Sequence, residues 1–298
     1  MVRRVFGHSE VFEIGRSVVY DARMSESPVP AAATAAPLPT VSVIIPIWND
    51  AAQLAAILGA LAGAENVLEV VIGDASDGPE CRRVAEAVGA RVVRCGEPSR
   101  GPQMNAAAAA AVGDVLLFQH ADTEMTRGHV ESLRRTMADP SVVGGAFTRR
   151  FHPMHRKRQW LAPIVRWINR RKRATLWGDQ SIFVRRTHFE AMGGYADIPI
   201  MEDMEFSKRL RRSGRVEVID PPVLSSARRH EAYGSFRASL EIFCIVWIYK
   251  LGASPHWIHR HYYRRRRKGR HGPPVEARIG PQHGGGSGGG GATPTADR

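Results

Sequence analysis

The sequence predicts an α/β protein whose mostly parallel sheet is flanked by helices on both faces. Between residues 41 and 147, short runs rich in β-branched residues alternate with helical patterns. The runs are almost continuously apolar, which is typical of strands buried on both sides of a parallel sheet. Polar residues follow directly after each run, at the edge where ligands bind in sheets of this kind.

The predicted elements follow one another as strand, then helix. Strands are predicted at Val41–Pro46, Leu68–Gly73, Arg91–Arg94, Val115–Gln119 and Val142–Phe147. Helices are predicted at Asp50–Ala62, Pro79–Val88, Pro102–Ala111 and Gly128–Ala138. Asp50 can cap the first helix, because its carboxylate can accept a hydrogen bond from the first turn. A later strand, Ser181–Val184, and a helix, Glu202–Arg212, complete the prediction.

The folded unit is expected to span residues 41–262. Residues 1–40 are interpreted as an appendage with a Pro/Ala-rich linker, and residues 263–298 as a basic and then Gly-rich disordered tail. Within the folded unit, Phe236, Leu240, Phe243, Trp247 and Leu251 recur at helical spacing, for which a packing helix is the commoner meaning. The longest apolar run, Ile242–Tyr249, is shorter than the roughly 20 residues of a bilayer span. We therefore predict neither a transmembrane helix nor, from residues 1–24, a signal peptide.

The net charge of +13 is concentrated in two segments. Residues 149–173 carry ten Lys/Arg and residues 259–271 carry seven, and neither segment contains an acid. The rest of the chain has 25 basic residues against 29 acids, so its body is mildly acidic. This pattern favours local contacts with phosphates or anionic lipid over a nucleic-acid-binding body, and no nucleic-acid-binding signature accompanies it.

Three cysteines without CxxC spacing exclude a disulfide scaffold and disfavour a thiolate zinc site. A reduced, cytoplasmic compartment is the resulting expectation. The apolar helix followed by a polybasic tail favours peripheral attachment to the inner face of the cell membrane. The basic, Trp-containing segment 149–173 is equally compatible with a lipid-facing helix, an acceptor loop or a solvated helix.

Candidate site residues follow the predicted strands. They are Pro46 and Asn49, then Asp74 and Asp77, then Arg100 and Asn105, then His120 and Asp122. No GxGxxG and no P-loop follows the first strand, which disfavours a dinucleotide site and an ATPase. Taken alone, Asp74 and Asp77 are better explained as turn residues, and the alternative for Arg100 is a solvated surface arginine, which is somewhat less favoured than a functional role. His120 and Asp122 directly follow the strand VLLF, where a carboxylate suits a divalent cation that holds a diphosphate.

Four segments, VSVIIPIWND, EVVIGDASDG, GDVLLFQHADT and MEDMEF, resemble the family 2 glycosyltransferases with the GT-A fold. More narrowly, RGPQMNAAAAAAVGDVLLFQHADT, GDQSIFVRRTHFEAMGG and SARR resemble a bacterial subgroup found beside radical-SAM and selenium-linked genes. The resemblance covers about residues 41–251. Each motif alone is only moderately specific for the family, but four motifs in this order and at this spacing are strong evidence for the resemblance.

The resemblance implies a nucleotide-diphosphate sugar donor. The loop Pro46–Asn49 and Asp74 match positions that hold the base and ribose, and Asp77 a neighbouring nucleotide contact. Arg100 and Asn105 would reach the diphosphate. His120 and Asp122 stand where the family has its DxD-type motif for Mg²⁺ or Mn²⁺. Because His120 replaces the usual Asp, it is either a nitrogen ligand, which Mn²⁺ tolerates better, or a nucleotide contact beside Asp122.

On the acceptor side, the resemblance implies that Asp203 is the general base of an inverting transfer and that Glu202 supports it. Glu205 serves the helix dipole or contacts solvent. Asp179 and Gln180 match the acceptor-side segment, with a β-turn as the alternative for Asp179. The segment SARRH lacks the Gln and Trp of a processive synthase, which disfavours that activity.

The expected function is transfer of a sugar to a hydroxyl acceptor, either a small molecule or a lipid-linked one. Two alternatives stay open. One is a catalytically degenerate, membrane-associated binding protein, for which the His120 substitution leaves room. The other is a nucleotidyltransferase, against which the missing phosphate loop argues.

Overall fold

The computed structural model describes residues 37–62, 64, 66–121, 123–152, 175–226 and 235–268. The strands are β1 Val41–Ile47, β2 Val67–Asp74, β3 Arg91–Arg94, β4 Val115–Phe118, β5 Thr123–Glu124, β6 Val142–His152, β7 Phe183–Arg185 and β8 Arg215–Ser226. The helices are α1 Ala51–Leu61, α2 Glu80–Ala87, α3 Arg100–Ala109, α4 Arg127–Met137, α5 Arg186–Ala191, α6 Glu202–Ser213, α7 Ser235–Lys250 and α8 Pro255–Lys268. A 3₁₀ turn spans Gly178–Gln180.

The strands form one eight-stranded sheet in the order β3-β2-β1-β4-β7-β6-β8-β5. Four of the seven neighbouring pairs are parallel, and β7 and β5 pair antiparallel to their neighbours. In the parallel part, Ile47 lies opposite Asp74, and Asp74 lies opposite Arg94. The carboxyl ends of β1, β2 and β3 are therefore level, so the loops that follow them meet at one edge of the sheet.

Alternate residues of the central strands pack against helices on opposite faces. Val43 and Ile45 of β1 point into the core formed with α1, α2 and α4. Ile44 and Phe118 point into the core formed with α3, α5 and α6. Burial of both strand faces explains why these strands are nearly continuous apolar runs in sequence. The predicted fold class is confirmed.

A buried amide holds α3 against the sheet edge. The Nε2 of Gln103 donates to the carbonyl oxygens of Ile47 and Gly73, at 2.8 Å each. A Cβ at Gly73 would lie 2.5 Å from the Gln103 carbonyl oxygen, so only glycine permits this approach. The contact fixes the start of α3 beside the ends of β1 and β2.

The prediction that Leu240, Phe243, Trp247 and Leu251 form the packed face of a helix is wrong. Leu240, Phe243, Trp247 and Leu251 are exposed to 49%, 58%, 50% and 80%, while the opposite side of α7 is half-buried. The helix carries apolar side chains on both sides. The side that packs on the protein is the one opposite Leu240, Phe243, Trp247 and Leu251. Helix α8 continues to Lys268, six residues past the predicted end of the folded unit. Among the described residues, no helix combines the length and apolarity that crossing a bilayer requires.

Candidate functional site

The loops after β1 and β2 are joined by reciprocal hydrogen bonds. The Asn49 Nδ2 donates to Asp77 Oδ2 at 2.6 Å, and the Asp77 backbone N–H donates to Asn49 Oδ1 at 3.0 Å. The Asn49 backbone N–H donates to Ser76 Oγ at 2.9 Å. Asn49 adopts a φ of 51°, a left-handed conformation that asparagine tolerates. Asp50 caps α1, as predicted, by accepting from the Gln53 N–H at 3.1 Å.

Asp74 lies fully buried at the end of β2. Its Oδ1 accepts from the Ser76 N–H at 2.8 Å, and its Oδ2 pairs with Arg94 Nη1 at 3.2 Å. Arg94 also donates to the Ser76 carbonyl oxygen at 2.9 Å. Pro46, on β1, is half-buried opposite Gly73. We call Asn49, Asp74, Ser76, Asp77 and Arg94 the loop cluster; Arg94 and Ser76 were not among the sequence candidates.

A second group of polar residues gathers around the start of α6. The Asp203 Oδ2 accepts from the Gly178 N–H at 2.9 Å, and its Oδ1 accepts from the Met204 N–H at 2.7 Å. Gly178 also lies against His120: a Cβ at Gly178 would be 2.6 Å from His120 Cε1 and 2.7 Å from its Nε2. Gly178 therefore separates the His120 imidazole from the Asp203 carboxylate.

Glu202 and Arg100 join the same group. Arg100 Nε lies 2.8 Å from Glu202 Oε1, with the Glu202 side chain 3% exposed and the Arg100 side chain 50% exposed. Burial raises the pKa of Glu202; Arg100 opposes this shift, and Asp203 adds to it. The ion pair thus connects the first residue of α3 with the first residue of α6. We call Arg100, His120, Gly178, Glu202 and Asp203 the helix cluster.

Asn105 supports the turn that leads towards α6. Its Nδ2 donates to the Tyr195 carbonyl oxygen and its Oδ1 accepts from the Tyr195 N–H, both at 2.8 Å. Gly193 and Gly194 of this turn have positive φ values of 73° and 69°. A Cβ at Gly194 would lie 2.6 Å from Asn105 Oδ1. In this arrangement both functions of the Asn105 amide are used by the chain itself.

The 3₁₀ turn carries Asp179 and Gln180 beside the helix cluster. Asp179 forms an ion pair with Arg149 of β6 and accepts from Ser225 Oγ at 3.4 Å. Gln180 is buried, and its Nε2 donates to the Phe147 carbonyl oxygen at 3.1 Å. The two side chains therefore brace the turn that presents Gly178 to Asp203.

Two tyrosines near Asp203 were not among the sequence candidates. Tyr195 is buried and stacks on Phe206 of α6, with ring centroids 4.3 Å apart. Burial raises the pKa of Tyr195 well above its usual range, and the charges of Asp203 and Glu202 raise it further. Burial raises the pKa of Tyr249 of α7, and Glu205 and Asp203 add to that shift. Because the charges of Glu205 and Asp203 influence Tyr249, α7 lies near the start of α6.

The second residue proposed to bind metal, Asp122, lies outside the described residues. Within the described ranges, no three His, Cys, Asp or Glu side chains come together as a metal site. The structure places His120 and Asp203 on either side of Gly178. It joins Asn49 and Asp77 in a separate, hydrogen-bonded pair. The motif GDQSIF includes Gly178, but no sequence signal indicated its contact with His120, and none indicated Arg94 or the tyrosines, because these contacts join residues far apart in the chain.

The mostly parallel sheet, covered by helices on both faces, has the GT-A fold. The family model described as glycosyl transferase family 2 matches residues 42–193. The chain belongs to this family, so the predicted family and enzyme class are confirmed.

Known proteins resemble the chain at the level of sequence and fold. An uncharacterized protein from Mycobacterium tuberculosis is 26% identical over 221 residues, 65% of this chain and 68% of that protein. The structure is similar to a mannosyltransferase from Pyrobaculum calidifontis in complex with GDP-Man and Mn²⁺, with a TM-score of 0.52 and 21% identity over 67% of this chain. The chain spans 60% of that mannosyltransferase. It is also similar to S. aureus TarS in complex with UDP-GlcNAc, with a TM-score of 0.51 and 16% identity over 63% of this chain and 58% of that one.

Proposed function

We propose that the protein is an inverting glycosyltransferase that moves a sugar from a nucleotide-diphosphate donor to a hydroxyl acceptor. The observation that carries the proposal is the Asp203 carboxylate, which two backbone N–H groups hold at the start of α6. The glycine that donates one of these bonds separates Asp203 from His120 of the donor-side motif. A fixed carboxylate next to the donor motif is the arrangement that base-assisted transfer requires.

In the proposed reaction, Asp203 accepts the proton of the acceptor hydroxyl. The hydroxyl oxygen then forms a bond to the anomeric carbon, while the bond from that carbon to the diphosphate oxygen breaks. The nucleoside diphosphate leaves with the electron pair, and the anomeric configuration inverts. Each Asp203 oxygen accepts one backbone N–H, and a carboxylate oxygen has a second lone pair with which to receive the proton.

Glu202 acts as a positioning residue in this scheme. Its buried carboxylate bonds to Arg100 and is adjacent in sequence to Asp203. The Arg100 guanidinium, half-exposed at the start of α3, lies on the side where the donor diphosphate is proposed to bind. The ion pair therefore couples the donor side to the base.

His120 and Asp122 are the residues that would hold a divalent metal. An imidazole with a carboxylate suits Mn²⁺ better than Mg²⁺, which prefers oxygen ligands alone. The bound ion would neutralise charge that develops on the diphosphate leaving group. A mannosyltransferase with the same fold was solved with Mn²⁺, which supports this assignment.

The donor is proposed to bind against the loop cluster. Pro46, Asn49, Asp74 and Asp77 would contact the base and ribose, and Asn105 would stand near the diphosphate. Structures with the same fold contain GDP-Man or UDP-GlcNAc, which supports a nucleotide sugar but leaves the base to experiment. Asp179 and Gln180 would border the acceptor. A lipid-linked acceptor at the inner face of the cell membrane fits the basic, apolar C-terminal helices, and nucleic acid is not a proposed partner.

The test uses the purified full chain with UDP, GDP, CDP and dTDP sugars, each with Mn²⁺, Mg²⁺ or chelator. Thermal shift reports donor binding, and nucleoside diphosphate release reports transfer. Asp203→Asn should lower transfer by about 10²–10⁴-fold while the donor-induced shift persists. Asp122→Ala should abolish the metal-dependent part of that shift.

The matched control is Glu205→Gln, in the same helical turn. Glu205 pairs with Arg209 at 2.7 Å, and its loss should change transfer less than about threefold. Full activity in Asp203→Asn would contradict the proposed base. No shift with any donor in the folded protein would favour the catalytically degenerate binding protein.

A further inference from the structure

Between residues 240 and 250 of helix α7, every side chain except Glu241 and Lys250 is apolar, yet the protein covers only one side of this segment. Ile242, Ile245, Val246 and Tyr249 lie on the half-buried side. A helix that is apolar on all sides is normally buried on all sides. Its second side therefore requires a partner that the described residues do not supply.

The uncovered side forms a continuous apolar surface. Leu240, Phe243, Trp247 and Leu251 follow at intervals of three or four residues, which places them on one helical face. Trp257 at the start of α8 is 48% exposed. Six of the ten exposed large apolar side chains among the described residues lie between positions 240 and 257. We call Leu240, Phe243, Trp247, Leu251 and Trp257 the docking face.

The sequence next to the docking face is strongly basic. Between residues 235 and 268 the only acid in the sequence is Glu241. Helix α8 contains six Lys/Arg, at positions 260 and 264–268, and Lys250 ends α7. Exposed apolar and aromatic side chains in a segment rich in basic residues complement a surface that is apolar below and anionic above, which is the interface of an acidic bilayer.

We infer that α7 and α8 dock the protein on an anionic lipid bilayer through the docking face, with the helices lying in the interface. Helix α7 has 16 residues, about 24 Å at 1.5 Å per residue, and does not reach across the hydrocarbon core. Tryptophan side chains favour this depth, because an apolar ring and a polar N–H meet the two environments of the interface.

The docked orientation would bring the membrane close to the proposed base. Tyr249, on the opposite side of α7 from the docking face, experiences the charges of Glu205 and Asp203. This part of the inference rests on the proposed function: the acceptor hydroxyl would sit on a lipid head group, which diffuses in the plane that α7 contacts.

The experiment measures partition of the full chain onto sedimenting vesicles made of phosphatidylcholine, with and without 30 mol% phosphatidylglycerol. The variant is Phe243→Ser/Trp247→Ser, and the matched control is Val88→Ser/Val112→Ser, whose side chains are 59% and 58% exposed outside the C-terminal helices. We expect binding to anionic vesicles only. The docking-face variant should bind about 10–100-fold more weakly, and the control should bind like the original chain.

Circular dichroism and melting temperature show whether each variant folds, and donor-induced thermal shift without vesicles reports the sugar-nucleotide site separately. Lost vesicle binding with an intact thermal shift supports docking whatever the acceptor is. Unchanged vesicle binding in the variant, with binding removed by salt alone, would show that the basic residues suffice and would overturn the inference. Self-association that the same variant abolishes, without vesicle binding, would make the face an interface between two copies and would also overturn it.

Discussion

The loop cluster and the helix cluster both gather polar groups at the edge of one sheet, but they are built differently. In the loop cluster, residues from three adjacent parallel strands meet because their ends are level, and Asn49 and Asp77 remain exposed. In the helix cluster, the contacts join residues that are distant in sequence: Arg100 pairs with the buried Glu202, and the Gly178 N–H donates to Asp203.

The difference indicates how each cluster responds to change. Exposed hydrogen bonds in a loop exchange readily with water, so their loss costs little stability. A buried carboxylate that depends on one cation has no such replacement. We therefore expect substitutions at Arg100 and Glu202 to affect stability strongly, and substitutions at the exposed Asn49 and Asp77 to act mainly on donor binding.

After Asp203→Asn, the largest effect on transfer is expected from Gly178→Ala. The new methyl group would meet the end of the His120 ring, which can rotate away, so unfolding should change by less than about 1 kcal/mol. Gly178 has no positive φ, and the alanine N–H can still donate to Asp203. Displacement of His120 should lower transfer by about 10–100-fold, measured as kcat/KM with a saturating metal.

Gly59→Ala is the control for this substitution. Gly59 lies inside α1 with open space around its Cβ position, so alanine should stabilise the protein by about 0.5–1 kcal/mol and leave transfer unchanged. Full activity in Gly178→Ala would place His120 outside the reacting site and would remove the main link between the metal motif and Asp203.

The next effect is a loss of stability in Arg100→Ala. Without Arg100, the buried Glu202 carboxylate loses its cation, and we expect unfolding to become easier by about 1–3 kcal/mol at pH 7. The pKa of Glu202 is already raised above its ordinary 4.5, and removing Arg100 raises it further. Glu202 then binds a proton more readily when folded than when unfolded, so the deficit should shrink as pH falls from 8 towards 5.

Urea unfolding across this pH range measures the deficit. Glu202→Gln in the Arg100→Ala background removes the titrating group, and its stability relative to Glu202→Gln alone should not depend on pH. A deficit in Arg100→Ala that is equal at every pH would contradict a role for Glu202 burial in this cluster.

Six strands of the sheet, β1–β4, β6 and β7, could be predicted from local patterns, and β5 and β8 could not. Strands β1, β2 and β4 are mostly apolar runs and β3 is a short β-branched run, and their ends predicted where Asn49, Asp74 and Arg100 would lie. Strand β8 escaped prediction because Pro221 and Pro222 interrupt it, and proline normally argues against a strand.

The same limit applies to the candidate site. Asp50 could be identified as a cap because a cap acts within one turn. The pairing of Asn105 with Tyr195 joins residues 90 positions apart, and the contact of Gly178 with His120 depends on an antiparallel strand inserted beside β4. Residue type and spacing carry no information about such approaches, since these arise only when separate elements pack.

The smallest effect is expected in the loop cluster, from substitution of Asn49. Asn49→Gly keeps the left-handed backbone accessible but removes both side-chain bonds to Asp77, which should cost about 0.5–1 kcal/mol. Asn49→Ala removes the same bonds and adds the strain of a φ of 51°, so it should cost about 1 kcal/mol more. The difference between the two variants, measured by urea unfolding, isolates the backbone contribution.

Donor affinity should fall several-fold in both, because the loop must then be ordered on binding. Equal affinity in the original chain and both variants would show that the loop cluster holds the fold and not the nucleotide, and the contrast between the two clusters would then be one of stability alone.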